Sequence, residues 1–561
     1  MIDEEYVDLI IYYLNNPERL NRYQNAIIHY MNEAFAEVHI PVSQIINQTI
    51  TTFGYSAMPK LYGLTSEVSL ESSGVSRLRN IANFNLRGKG ILIGVIDTGI
   101  DYTNPVFIKS DGTSKIISIW DQTIETGTPP ENIPFGTEYK ADLINQALAS
   151  PNPIEIVPSI DENGHGTMMA AVSAGNEDEN ANFSGVVPDA ELIIVKLRQA
   201  KQYLRNFFFI PDGIMCYQEN TIMWGVQYCY QMARELNRPI VICIGIGTSQ
   251  GSHDGRSPLD IFLSIIGDFP RTAVVTSAGN EGNRGRHYYG NIDPSIGYNT
   301  VELHVGENDK GFSMEVWGNS PGIYSIDILS PNGEYIPRIA AGLRVNRAIT
   351  FIFEPTTIYV DYLMTESETG DQLILLRFRN VTPGTWKFKV YGQSDLPTGF
   401  HIWLPMGDMI STDTYFLQPD IHTTIVSPGS ADVPIAITAY NPINSTLYVN
   451  ASRGYTRSNA IKPELAAPGV NYLAPNQNNE YVNYTGTGVA AAHTAGIVAI
   501  VLEWGIARGN QPNLDSVAIS NYLIRGAKRN PNISYPNIDW GYGIIDIYNT
   551  FSVLRSDIGV R

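Results

Sequence analysis

The chain has 561 residues, of which 43% are hydrophobic and 17% are charged, so it can bury a large core and is not of the disordered class. Its 37 Lys and Arg against 56 Asp and Glu leave a formal net charge of −19, and no basic block interrupts this acidity. The charge therefore argues against a nucleic-acid partner and against binding to an anionic membrane surface.

The first residues, MIDEEYVDLI, are acidic where a secretory signal would be basic. No later run is apolar and long enough to predict a membrane span, because the best candidate, GIVAIVLEWGIA, contains a glutamate and is typical of a buried helix. We therefore expect an intracellular protein without a signal peptide. The three cysteines are too few and odd in number for a disulfide framework, so buried free thiols are expected at Cys216, Cys229 and Cys243.

Residues 1–66 combine strand-like runs with a helix candidate from Pro17 to Ala36, which predicts a small α+β unit. The unit ends in the extended segment YSAMPKLYGLT, which contains proline and glycine. We interpret this segment as a linker or a docking tail.

Residues 67–297 and 407–561 have the texture of one α/β domain divided into two parts. Short apolar runs alternate with helical stretches; the runs are ILIGVI, ELIIVKL, PIVICIGIG and TAVVTSA. Such runs are typical of a parallel sheet covered by helices on both faces, with a crossover helix expected from about Asn220 to Leu236. The predicted fold class is therefore α/β with a doubly wound parallel sheet.

Residues 298–406, between these two parts, contain eight strand-like runs separated by turn signals such as SPNGE. In GTWKFKV, apolar residues alternate with lysines, which indicates strands with one wet face. We predict an inserted β-sandwich, a jelly roll. Glycan or protein binding by this sandwich is an alternative function, although Trp317, Trp386 and Trp403 are expected to lie in its core.

Three polar residues follow predicted strands or begin a predicted helix. Asp97 follows the strand ILIGVI, at the sheet edge where catalytic groups gather, although an aspartate there is more often a cap. His165, in GHGT, stands at the start of a helix and is a candidate general base. Asn280 follows the strand TAVVTS, where its amide can donate to a developing oxyanion or can simply serve a turn.

The segments DTGID, GHGT and SAGNEG, in this order, resemble the aspartate, histidine and oxyanion asparagine boxes of the subtilisin-like serine proteases. SGVVPDAELIIVKL and IKPELAAPGV resemble two further segments of the same family. The resemblance implies a subtilisin-like fold in which Asp97 and His165 hold two triad positions and Asn280 holds the oxyanion position.

The nucleophile box departs from the family pattern. The family carries Gly-Thr-Ser at a helix start, whereas YTGTGVAAAHTAGI places Gly488 at the serine position and Ala492 at a proline position. Glycine has no hydroxyl, and neither Thr487 nor Cys243 is a credible replacement. We therefore predict a pseudoprotease, not an enzyme; the alternative is an active protease in which Gly488 is an engineered substitution.

A second departure lies in the cleft strand, where the family usually has Ser-Leu-Gly and this chain has Gly245, Ile246 and Gly247. It supports the prediction of a cleft that no longer holds a substrate for cleavage. Ordinary drift within the family is the alternative.

Segment 1–66 also resembles a subtilase prodomain. Together with the inserted sandwich and the phrase TSQGSHDGRSPLD, it makes the chain similar to the clostridial Csp subtilases of spore germination, as a pseudoprotease member. The resemblance implies a regulatory role, in sensing a germinant or in controlling a partner subtilase that activates a cortex-lytic enzyme. It also implies a location in the developing and mature spore.

The partners implied by this resemblance are the chain's own prodomain, another Csp-type subtilase or pseudoprotease, and, as a further candidate, a small-molecule germinant. Residues 1–66 are expected to stay attached and to occupy the cleft around Asn280 and Gly488. No cofactor is expected and no residue is assigned to a metal, with calcium left open for the acidic loop NEDENAN.

Overall fold

A nine-stranded, mostly parallel sheet forms the centre of the structure, a computed structural model that describes residues 3–23, 26–44, 50–69, 86–293, 295–393 and 399–558. In their order across the sheet, the strands are Thr446–Leu447, Ile435–Asn441, Thr272–Ser277, Ile240–Ile244, Leu92–Asp97, Glu191–Lys196, Ile116–Asp121 and Thr137–Lys140. The ninth strand, Leu465–Pro468, also pairs with Ile435–Asn441. The two terminal pairings are antiparallel. The four predicted apolar strands lie side by side at its centre, so the α/β fold class is confirmed.

Helices cover both faces of this sheet. One face packs against His165–Ala174 and Thr487–Leu502, and the other against Glu219–Glu235 and Pro258–Gly267. The predicted crossover helix agrees with Glu219–Glu235. The remaining α-helices in the described part of the chain are Ile50–Phe53, Ala141–Leu148, Gln202–Phe208, Ser516–Gly526 and Ile547–Ile558.

The helix predicted from Pro17 to Ala36 is wrong. That stretch forms a 3₁₀ helix, Pro17–Tyr23, followed by two strands, Ile27–Tyr30 and Phe35–Pro41. Both strands pair in an antiparallel sheet, with Phe35–Pro41 between Ile27–Tyr30 and Tyr6–Tyr12. Pairing with Tyr6–Tyr12, which is almost entirely buried, outweighs the local helix pattern.

The segment Leu61–Leu64 joins this N-terminal sheet to the central domain. It pairs antiparallel with Tyr217–Gln218 on one side and with Ile246–Gly247 on the other. We call Leu61–Leu64 the bridging strand. After it, Glu67–Ser69 pairs antiparallel with Tyr481–Thr485, just before the helix that begins at Thr487.

The insertion between the two parts of the α/β domain contains two antiparallel sheets that share one hydrophobic core. One has, in order, His287–Asn291, Gly399–Trp403, Gly311–Gly318, Gln372–Arg379, Thr357–Leu363 and Arg344–Thr350, and the other has Tyr335–Ile339, Ile323–Leu329, Gly384–Gln393, Tyr298–Val305 and Tyr415–Phe416. Trp386 lies in this core, as predicted, whereas Trp317 and Trp403 are buried in a second cluster formed with the N-terminal segment and the α/β domain. None of the three forms an exposed aromatic platform. The jelly-roll connectivity and the boundaries after residues 66, 297 and 406 stay predictions.

A single carboxylate links the N-terminal segment, the insertion and the α/β domain. Glu315, on an inner strand of the insertion, accepts hydrogen bonds from the Tyr55 hydroxyl (2.6 Å), the Gly251 backbone N–H (2.9 Å) and the Trp317 indole (3.0 Å). These donors belong respectively to the N-terminal segment, the α/β domain and the insertion itself. All three parts therefore meet at one buried, fully hydrogen-bonded carboxylate.

The run Thr487–Ala507 is, by length and composition, able to cross a membrane, but 89% of its apolar window is buried within the fold. It lies against the central sheet and the helix His165–Ala174. The three cysteines are free and buried, as predicted.

Candidate functional site

Asp97 and His165 come together at the carboxyl ends of the central strands. Asp97 is the last residue of its strand and is 1% exposed, and His165 is the first residue of its helix. The His165 Nδ1 lies 2.7 Å from Asp97 Oδ1, which also accepts from the Thr98 backbone N–H at 2.8 Å. The carboxylate therefore fixes the imidazole with its Nε2 facing away, as a general base requires.

Asn280 and Gly488 hold one carbonyl oxygen between them. The Asn280 Nδ2 donates to the Thr65 carbonyl oxygen at 2.7 Å, and the Gly488 backbone N–H donates to the same oxygen at 3.1 Å. The Asn280 Oδ1 accepts from the Thr487 backbone N–H and hydroxyl, both at 3.1 Å, and this fixes the orientation of the amide. Two such donors on one carbonyl oxygen form the geometry of an oxyanion hole.

The carbonyl in this position belongs to the residue that follows the bridging strand. Thr65 is fully buried; its backbone N–H and its hydroxyl both donate to the Gly245 carbonyl, at 3.1 and 2.5 Å. Its hydroxyl also lies 2.9 Å from Ser277 Oγ. The cleft therefore holds the Thr65–Ser66 peptide bond by the backbone and the side chain of its first residue.

Two glycines create the space for this bond. Gly486 has a φ of +151°, and a Cβ there would overlap the Thr65 carbonyl oxygen and lie 3.2 Å from Asn280 Nδ2. A Cβ on Gly488 would overlap the Ser66 hydroxyl oxygen and lie 2.9 Å from Thr65 Oγ1. The side-chain position of residue 488 is thus filled by the chain's own N-terminal segment.

Three buried polar atoms in this region have no hydrogen-bond partner among the described residues: Asp97 Oδ2, His165 Nε2 and Ser66 Oγ. Buried polar atoms are usually paired, so unpaired ones at a cleft are candidates for chemistry or for contact with a substrate. The sequence does not single out Ser66, because no motif surrounds it. Ser66 does directly follow YSAMPKLYGLT, the segment interpreted as a linker or docking tail.

The structure brings Asp97, His165, Asn280 and Gly488 to one cleft, and their functional roles stay predictions. Cys243 does not join them, since its side chain is buried within the sheet, and burial raises the pKa of its thiol. Its exclusion as a nucleophile agrees with this environment.

One group of side chains has metal-like spacing among the described residues. The ligand atoms of Asp8, Glu37 and His39 lie within 4.8 Å of one another. However, the Lys201 ammonium donates to Asp8 at 2.7 Å, and Trp224 donates to Glu37 at 2.7 Å. Protein donors already occupy these carboxylates, so we assign no metal to them.

A buried carboxylate beneath the bridging strand predicts a pH effect on stability. Burial raises the pKa of Asp260 to about 7, although the Ser427 and Ser430 hydroxyls donate to it at 2.8 and 3.1 Å and oppose the rise. A raised folded-state pKa contributes stability that is complete below the unfolded pKa of 3.8 and is lost as the pH rises through about 7.

We therefore expect the free energy of unfolding of the wild type to fall between pH 5 and 8 relative to that of Asp260→Asn, by a few kcal/mol at most. Urea unfolding at both pH values measures the difference, with Asp268→Asn, at the exposed end of the same helix, as the control. A parallel loss in wild type and Asp260→Asn would contradict the prediction.

Comparison with known proteins identifies the α/β domain. Residues 88–302 and 418–543 match the sequence model of the subtilase family, which leaves most of the insertion unmatched. Among solved structures, the chain is similar to the CspB protease of Clostridium perfringens, with 30% identity, a TM-score of 0.76, and coverage of 85% of this chain and 95% of that one.

Curated relatives are more distant. The chain is 22% identical over 538 residues to a PII-type proteinase of Lacticaseibacillus paracasei and 32% identical over 161 residues to the subtilisin-like protease SBT1.9 of Arabidopsis thaliana. The alignments cover 85% and 26% of this chain but span only 26% and 19% of those two relatives.

These comparisons contradict the prediction that the chain is not an enzyme. The proteins that it resembles are named proteases, CspB among them, and they point to a family of enzymes. The glycine itself remains, so residue 488 supplies no hydroxyl.

Proposed function

The chain belongs to the subtilase family, and from this premise we propose that it is a Csp-type subtilase of spore germination whose cleft acts on an extended polypeptide. The similarity to the CspB protease supports assignment to the Csp group. The observation that carries the peptide-binding part is the Thr65 carbonyl, held by Asn280 and Gly488 at the end of a paired strand.

The geometry around the bridging strand supports an extended polypeptide as the ligand. Leu61–Leu64 adds a strand between two edges of the domain, and such pairing binds a backbone with little dependence on its side chains. Specificity arises where side chains are buried, at Leu61, Tyr62 and Thr65. A partner protein would present a strand of the same kind.

We further propose that the N-terminal segment controls access to this cleft. A covalently attached segment competes with any free polypeptide at an effective concentration in the millimolar range. Its release would open the cleft to a partner, for which a related Csp-type subtilase is our candidate. A small-molecule germinant would act by shifting the balance between the docked and released segment.

Enlarging the side chain of residue 65 tests whether the N-terminal segment blocks the cleft. Thr65 is fully buried against Gly245 and Ser277, so Thr65→Trp is expected to expel the segment. A fluorescent peptide with the sequence of residues 58–66, MPKLYGLTS, would then bind the variant at least 100-fold more tightly than the wild type in an anisotropy titration.

Thr126→Trp is the matched control, because Thr126 is exposed. Equal peptide affinity for wild type and Thr65→Trp, with both variants folded by circular dichroism, would refute the blocked-cleft proposal. The role in germination is tested separately: in the host that encodes the chain, spores without it should germinate at least tenfold less often, and unchanged germination would refute that role.

A further inference from the structure

One side of the inserted sandwich holds two large apolar side chains out into solvent. Ile352 is 82% exposed and its neighbour Phe353 is 79% exposed. The backbone N–H groups of both residues donate to the Glu334 carboxylate, at 2.9 Å each, while Phe351 beside them is buried in the sandwich core. Because hydrogen bonds and core packing fix this bend, the two exposed side chains belong to an ordered surface, and adjacent exposed apolar groups are typical of contact sites.

Two edge strands lie on the same side of the sandwich. Arg344–Thr350 is the last strand of one sheet and Tyr335–Ile339 is the first strand of the other, and each pairs on one side only within the described part of the chain. The Tyr362 hydroxyl, from the first sheet, donates to the Ile339 carbonyl of the second at 3.1 Å, so the two edges are neighbours. An edge strand presents unpaired backbone N–H and C=O groups to which a further strand can add. We call residues 335–353 the open edge.

The open edge is basic in an otherwise acidic chain. Residues 335–353 contain three arginines and no Asp or Glu, whereas the whole chain has a formal net charge of −19. Arg344 and Arg347 are exposed and form no ion pair with any described residue. Asp361, on the neighbouring strand, is instead paired with Arg377 at 3.2 Å. Two uncompensated positive charges on one edge strand favour a partner that carries negative charge.

A second copy of the chain fits this edge poorly. Two Arg344–Thr350 strands that paired antiparallel along their whole length would place Arg347, the central residue, opposite Arg347 of the other copy. Like charges directly opposite each other destabilise a strand pair. An anionic membrane is disfavoured by the net charge of the chain, and lipid offers no strand to pair with the backbone. An acidic polypeptide satisfies both the charge and the backbone.

We infer that the open edge binds an extended acidic segment of a partner protein, which adds antiparallel to Arg344–Thr350 as a further strand. Acidic side chains of the partner would lie opposite Arg344 and Arg347, and apolar ones would cover Ile352 and Phe353. None of these residues belongs to the cleft. The inference therefore goes beyond the proposed function and does not depend on the docking of the N-terminal segment.

A designed peptide tests this inference on the full chain. LVSTVTETVE, with a fluorescein label at its N-terminus, places its two glutamates opposite Arg347 and Arg344 when it lies antiparallel to residues 344–353. In an anisotropy titration at about 150 mM salt, it should bind wild type at least tenfold more tightly than LVSTVTKTVK. Arg347→Glu should reverse this preference, because the lysine peptide then meets an opposite charge and the glutamate peptide a like one.

Two further variants separate the edge from general charge effects. Arg379→Glu is the matched control: Arg379 is also exposed and lies in the same sheet, but two strands in from the edge, so the preference for the acidic peptide should be unchanged. Replacing both Ile352 and Phe353 by serine should weaken binding of the acidic peptide at least tenfold. Circular dichroism of each variant checks that it is folded.

Equal affinity of the two peptides for wild type, or the same reversal in Arg379→Glu as in Arg347→Glu, would overturn the inference. Two other results would also overturn it. Binding to vesicles of phosphatidylcholine and phosphatidylglycerol without a preference between the peptides would assign the edge to a membrane, and a dimer that Arg347→Glu dissociates in sedimentation velocity would assign it to a second copy. Failure of the proposed function is separate, because it appears as equal affinity of wild type and Thr65→Trp for MPKLYGLTS.

Discussion

Replacing Gly488 by serine is expected to give the fastest cleavage of the Thr65–Ser66 bond, at least 100-fold faster than Gly488→Ala. The serine would stand in the first turn of its helix, beside a carbonyl that Asn280 already holds. His165, fixed by Asp97, would serve as its base. In subtilisin, a member of the same family, loss of the serine lowers kcat about 10⁶-fold, which sets the upper limit of the gain.

Gly488→Ala is the matched control because it adds the Cβ without the hydroxyl. This Cβ overlaps Ser66 Oγ in both variants, so the alanine variant reproduces the crowding of the serine variant without supplying a nucleophile. Time courses of intact mass compare the three chains. If the serine variant is cut no faster than the alanine variant, the positions of Asp97, His165 and Asn280 do not make a working site.

Removing the charge of Asp8 is expected to destabilise the docked N-terminal sheet by about 3–5 kcal/mol. Asp8 is 1% exposed; it accepts from the Lys201 ammonium at 2.7 Å, from His39 Nδ1 at 2.8 Å and from Gln218 Nε2 at 2.8 Å. Asp8→Asn keeps the shape but leaves the Lys201 ammonium buried without its counter-ion. Hydrogen exchange of the strand Tyr6–Tyr12 measures the loss.

The carboxylate of Asp8 also makes the docking of the N-terminal sheet less stable at low pH. Burial alone would raise the pKa of Asp8, but the His39 hydrogen bond and the Lys201 charge together hold it below its usual value. A lowered folded-state pKa contributes stability above the unfolded pKa that is lost as the pH falls through the folded value. The wild type should therefore lose more docking stability than Asp8→Asn as the pH falls below about 4.

Asp212→Asn, on an exposed turn, is the control and should change stability by less than about 0.5 kcal/mol. Adding Lys201→Met to Asp8→Asn should recover part of the loss, because the stranded charge is then removed. A loss in Asp8→Asn no larger than in the control would contradict the expected destabilisation of the docked N-terminal sheet.

The central domain could be predicted from the sequence because its signals are local and strong. Strands such as Leu92–Asp97 and Ile240–Ile244 are continuous apolar runs, and the boxes around Asp97, His165 and Asn280 are short and ordered. Long, regular patterns of this kind leave few alternatives. Most strands of the insertion also followed from their sequence pattern, although nine strands lie in the described part of residues 298–406, where eight were predicted.

The N-terminal sheet and the occupied cleft could not be predicted from local sequence patterns. Phe35–Pro41 is a strand because it pairs with Tyr6–Tyr12 on one side and with Ile27–Tyr30 on the other, and the helical spacing of residues 17–36 conceals these pairings. Ser66 and Asp8 acquire their surroundings from residues about 200 to 420 positions away, at Lys201 and Gly488. No short stretch of the sequence contains both members of either pair.

Glu315 couples the inserted sandwich to the docking of the N-terminal segment in the cleft. Its carboxylate receives the Tyr55 hydroxyl only while the N-terminal segment is docked, so undocking costs the sandwich a buried hydrogen bond. By thermodynamic reciprocity, any molecule that binds the sandwich and favours the bonded form of Glu315 tightens the segment by the same factor, and any molecule that favours the unbonded form loosens it. Ligand binding to the sandwich and opening of the cleft would then be thermodynamically coupled.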